Sequence, residues 1–119
     1  AVINVFTTCQ PEHGVADDMA MHQAKLAADS RAFPVFIYDP TKGERFSERL
    51  SLQGNPAKNK DWYVNPKTKE QIDFVSFAKT EGRFAKHFDK DGNPDELILT
   101  GQKHQLANWR QLQELAGIV

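Results

Sequence analysis

Cys9 is the single cysteine of the chain and stands at the end of a β-branched and aromatic stretch, Val2-Ile3-Asn4-Val5-Phe6-Thr7-Thr8. A thiol at that place can act as a nucleophile, as a metal ligand, or as a small core hydrophobe, since free cysteine is among the most buried residue types. A nucleophile needs a base. His13 lies four residues on with Glu12 beside it, but a Cys and a His this close are no known catalytic signature. A metal set would join Cys9 and His13 to His22, His87 or His104. Structural zinc favours paired ligands at short spacings, and one thiolate without a second pair argues against an internal site.

Asp89-Lys90-Asp91-Gly92-Asn93 opens like a calcium loop. Its glycine falls at position four instead of six and no glutamate stands at position twelve, so the segment reads as a turn. Gly14 is isolated and Gly43 and Gly54 lie in polar sequence, which leaves no glycine pattern to cradle a phosphate. Glu81 and Arg83 are two residues apart and point to different sides of an expected helix. They read as a partner contact or as solvated charges rather than as an ion pair of three-or-four spacing.

Residues 2–8 have no helix period and read as a short buried strand, closed by the loop that contains Pro11 and Gly14. From Ala16 to about Arg31 strong helix formers take over, with Asp17 and Asp18 at the positive helix end. Ala16, Ala20, Ala24 and Ala27 form a thin face able to lie close on a sheet. Phe33-Pro34 ends that helix, and Val35-Phe36-Ile37-Tyr38 reads as a second strand closed by Asp39-Pro40. Strand, helix and strand over residues 1–40 predict a parallel pair with a right-handed crossover. Two parallel strands need further cover on faces and edges, so the remaining sheet is expected from elsewhere.

Residues 41–72 read as a long loop excursion with one short strand near Trp62-Tyr63-Val64. Residues 73–119 read as a helical C-terminal part. Asp73 caps a helix bearing Phe74, Phe77, Ala78, Phe84, Ala85 and Phe88, with Gly82 as its weak point. Glu96 to Thr100 reads as a short strand or extended piece. Leu106, Trp109, Leu112 and Leu115 mark a final helix ended by Gly117.

The chain has 119 residues, 39% hydrophobic and 26% charged, enough for one modest core. A net charge of −1 supplies no field to draw it onto nucleic acid or anionic lipid. Its longest apolar runs are far shorter than the roughly 20 residues of a membrane span. One cysteine and no leader-like start make a reducing cytoplasmic setting the expectation. The first residue is Ala, and the immediate onset of a strand suggests a piece of something larger.

Taken in order, Ile3-Asn4-Val5-Phe6-Thr7-Thr8-Cys9, then Gly14, Asp18-Met19, Gln23-Ala24-Lys25 and Arg31-Ala32-Phe33-Pro34-Val35-Phe36-Ile37-Tyr38-Asp39-Pro40, resemble the late part of the thiamine-diphosphate domain of pyruvate:ferredoxin (flavodoxin) oxidoreductases. Phe77-Ala78-Lys79-Thr80-Glu81-Gly82-Arg83-Phe84 resembles the aromatic and Glu-x-Arg-aromatic segment that follows in that family. The likeness covers about residues 2–88, and residues 89–119 resemble only the larger 2-oxoacid oxidoreductases, more weakly.

The resemblance implies an α/β fragment of a thiamine-diphosphate-binding fold. It implies that Cys9 is the fourth ligand of the four-iron (4Fe-4S) cluster nearest the thiamine, with three cysteines earlier in the parent chain supplying the others. The family's Gly-Asp-Gly motif for magnesium and the diphosphate has no counterpart here, nor do the residues that hold the 2-oxoacid. By the same resemblance the partners are the remaining domains of the parent, ferredoxin or flavodoxin, and coenzyme A and the 2-oxoacid through the parent. The isolated chain is expected to be inactive, free of iron and thiamine, and homo-oligomeric through its uncovered strands. The alternative is a free-standing interaction module without a cofactor, in which Cys9 is an ordinary thiol.

Overall fold

A computed structural model describes residues 1–119, the side chains of Gln10 and Asp17 excepted. Residues 1–9 contain no regular element and run into the single turn α1 (Gln10–His13). A 3-10 turn, Asp17–Met19, leads into α2 (Ala20–Asp29). Next come β1 (Ile37–Tyr38), a 3-10 turn at Pro40–Lys42, α3 (Phe46–Arg49) and β2 (Leu50–Ser51). They are followed by β3 (Tyr63–Val64), β4 (Gln71–Ile72), α4 (Phe74–Lys79), a 3-10 segment at Gly82–His87 and α5 (Glu96–Leu115).

The strand pairs are two antiparallel ladders, β1 with β2 and β3 with β4. The parallel pair expected between residues 2–8 and 35–38 is not among the ladders of the described residues. The two segments nevertheless lie side by side. The Phe6 ring packs on Phe33 at 5.2 Å and reaches Phe77 at 6.5 Å. Of the thin face Ala16, Ala20, Ala24 and Ala27, the last two, with Ala28, floor a groove walled by residues 2–6 and 32–38 rather than lying on a regular sheet.

Residues 41–72 hold more order than a loop excursion implies. Asn55 is buried and acts as a side-chain strand: its Oδ1 accepts from Val35 N (2.9 Å), and its Nδ2 donates to Val35 O (2.6 Å) and Leu52 O (2.7 Å). Asn65 closes the β3–β4 hairpin, its Oδ1 accepting from Lys67 N, while Lys69 takes a left-handed φ of 62°. Asn and Asp side chains offer the backbone this local alternative to a regular ladder. Periodicity cannot register such an arrangement.

Asp73 caps α4 as expected, its Oδ1 accepting from Ser76 N at 3.0 Å. That helix stops at Lys79 instead of continuing to Phe88, because Glu81 is extended (φ −110°, ψ 124°). The last helix begins at Glu96, so residues 96–100 are helical rather than extended. Asp95 decides this by accepting from Ile98 N at 3.0 Å, the hydrogen bond of an N-cap. Gly117 ends α5 at φ +75°, with Ile118 N donating to Gln113 O at 2.9 Å, a bond that satisfies a carbonyl at the helix end and favours glycine at the left-handed residue.

The core is thin. Leu50, Leu52, Phe77, Ala78, Ile98 and Trp109 are buried, while Val2, Ile3, Val5, Phe36 and Ile37 each leave more than half their surface in solvent. No helix among the described residues is long and apolar enough to cross a membrane.

Candidate functional site

Cys9 is exposed and opens the α1 turn. Its carbonyl accepts from His13 N at 2.8 Å, and its own N–H donates to His13 Nδ1 at 3.3 Å. The thiol therefore projects from a closed turn whose backbone is tied at both ends. His13 spends its Nδ1 on the backbone, so it serves the turn rather than the thiol.

Gly14 follows, at φ +66°. Gly82 N donates to Gly14 O at 3.1 Å, and a Cβ on Gly14 would stand 2.6 Å from the Gly82 Cα. Only two glycines allow the backbones to approach this closely. Residues 68 positions apart in sequence are thus brought into direct contact.

Beneath that contact lies a buried polar group. Glu81 is 1% exposed. Its Oε2 accepts from Gln23 Nε2 at 3.0 Å and its Oε1 from Arg83 Nε at 2.6 Å. The same Gln23 amide donates to Thr80 Oγ1 at 3.0 Å. Glu81 and Arg83 are therefore an ion pair, against the expectation from their spacing. The extended backbone at Glu81 turns both side chains to one side, which a helix would not do. A buried carboxylate is tolerable only when paired and hydrogen-bonded, as this one is. The sequence signal that foretells it is the break itself: Thr80-Glu81-Gly82 is a poor helix continuation in an otherwise apolar stretch.

His22 and His104 are exposed and lie on separate helices, and His87 pairs with Asp95 through Nδ1 to Oδ2 at 2.7 Å. No three His, Cys, Asp or Glu side chains among the described residues are grouped to hold an ion. Asp89 closes a turn as expected, accepting from Asp91 N (2.9 Å) and Asn93 N (2.8 Å). The donor set around Cys9 fits one thiolate ligand to a group held mainly by other residues. It does not fit a complete four-iron site, since no group of three such side chains is found among the described residues.

The second feature is the groove of about 930 Å³ formed where residues 2–6, Phe33, Phe36 and Leu112 meet the alanines of α2. Along residues 2–7 no main-chain hydrogen bond to another main-chain group is formed among the described residues. Apolar side chains and uncommitted peptide groups therefore share one edge.

Searches of protein-family models, curated proteins and solved structures found no match to this chain.

Proposed function

We propose that the chain is a segment of a 2-oxoacid oxidoreductase, pyruvate being the expected substrate, that passes electrons to ferredoxin or flavodoxin. Its contribution is scaffold and one iron-sulfur ligand, Cys9. The observation that carries the reading is the convergence of residues behind the resemblance: the Cys9 turn, Gly14, Gln23 and Glu81-Gly82-Arg83 meet at one place. An exposed thiol on a turn braced from below is suited to aim one ligand at a cluster seated on another segment. In such enzymes thiamine diphosphate with magnesium and the clusters supply the decarboxylation and one-electron chemistry. This chain's own residues hold the turn and present the thiol.

The uncovered groove supports the same reading and equally the alternative of an interaction module, since both require a partner on that edge. Cys9→Ser in the intact oxidoreductase separates them. A ligand role predicts loss of the cluster nearest the thiamine and a sharp fall in carrier reduction, with partial survival of decarboxylation. Iron analysis, paramagnetic resonance and carrier reduction on that variant read the result. An unchanged proximal signal with unchanged carrier reduction would remove the ligand assignment.

A further inference from the structure

We propose that Gln23 and Glu81 are positioning residues for the turn that carries Cys9, acting through the Gly82–Gly14 backbone contact; the functional part of this rests on the ligand role of Cys9. The path is continuous. Gln23, buried on α2, donates to the Glu81 carboxylate. Glu81 is held on its other oxygen by Arg83, so the residue between them, Gly82, is fixed in place. Gly82 N then donates to Gly14 O, and Gly14 follows directly on the turn in which His13 N closes onto Cys9 O.

The contact tolerates little movement. A Cβ at Gly82 would lie 3.1 Å from Gly14 Cα and 3.3 Å from Gly14 O, so the Cys9 turn would have to yield by a few tenths of an ångström. A ligand on a turn is only as well aimed as the residues that lock it. A buried carboxylate that loses its amide partner must seek water or rearrange, and the backbone directly joined to Glu81 is Gly82, the residue bonded to Gly14.

The test uses the intact protein with Gln23→Ala, Gly82→Ala and, for reference, Cys9→Ser. Hydrogen exchange of amides 9–14 is followed against amides of α5, and paramagnetic resonance of the proximal cluster is recorded on the same samples. Both positioning variants are expected to speed exchange at 9–14 about tenfold, to leave α5 unchanged, and to shift the cluster spectrum without abolishing it. Unchanged exchange at 9–14 overturns the proposal. Acceleration spread equally into α5 also overturns it, because that reports general loss of stability. Local acceleration with an undisturbed cluster overturns the functional part when Cys9→Ser destroys that cluster. When Cys9→Ser leaves it intact, the ligand reading fails and the positioning of the turn stands.

Discussion

Arg31 combines a left-handed backbone (φ 64°), complete burial and a guanidinium 4.0 Å above the Trp109 ring. Its Nη2 donates to Ala57 O (3.0 Å) and its Nε to Asp61 O (3.2 Å). Burial lowers its pKa to about 10, opposed by the charges of Asp29 and Asp61, so it remains a cation at neutral pH. Trp109 Nε1 and Gln113 Nε2 donate to Lys60 O at 2.8 and 3.1 Å. One cation and two α5 side chains thus collect the carbonyls of residues 57–61 and tie the middle of the chain to both long helices. Arg31→Ala removes charge-assisted hydrogen bonds and the ring contact together, and a loss of about 3 kcal/mol is expected. Urea unfolding measures it; a loss under about 0.5 kcal/mol, the size of an ordinary surface change, would exclude the clamp.

Among the elements, α5 starts on one side chain with two roles. Asp95 caps its first turn and pairs with His87. Its carboxyl is held below the usual carboxylate value, first by the His87 hydrogen bond and then by the Ile98 amide. A carboxylate with a lowered folded pKa adds stability that is present above the unfolded value near about 4 and is lost as pH falls through the lowered one. Asp61, bonded by Arg110, and Asp89, bonded by the Asn93 amide, are shifted the same way. Asp95→Asn keeps a good N-cap and deletes only the charge. Thermal melts from about pH 6 down to pH 2 should therefore show the wild type ahead at the upper end and the two curves merging at the lower end. A constant gap across that range would assign the effect to packing.

For the whole molecule, the accessible surface of 8224 Å² compares with about 6,500 Å² for a folded monomer of this mass. The radius of gyration is 15.5 Å, against about 13.5 Å for a compact domain of this length. Part of the exposed surface is apolar: Val2, Ile3, Val5, Phe33, Val35, Phe36, Ile37 and Tyr38 all carry large side chains into solvent. The chain in isolation should self-associate through this edge. Sedimentation velocity over a concentration series should show a rising mean mass that Ile3→Lys with Phe36→Lys abolishes. A monomer at every concentration would count against the edge as an interface.

Composition and punctuation determined the parts whose causes are local: a helix within the expected span of residues 16–31, observed at 20–29 after a 3-10 turn and stopped before the left-handed Arg31, the Asp73 cap, the Gly117 stop, and the turn at Asp89. Those depend on propensity and capping, which act within a few residues. The break at Glu81, the burial of its carboxylate and the capture of residues 57–61 by Arg31 depend on partners 26 or more residues away. The tertiary structure alone decided them. For the candidate site, the sequence supplied Cys9 and the order of motifs around it. Only the folded chain brings Gly14 onto Gly82 above Gln23 and Glu81, because a backbone contact between two glycines leaves no periodic trace in the residues that make it.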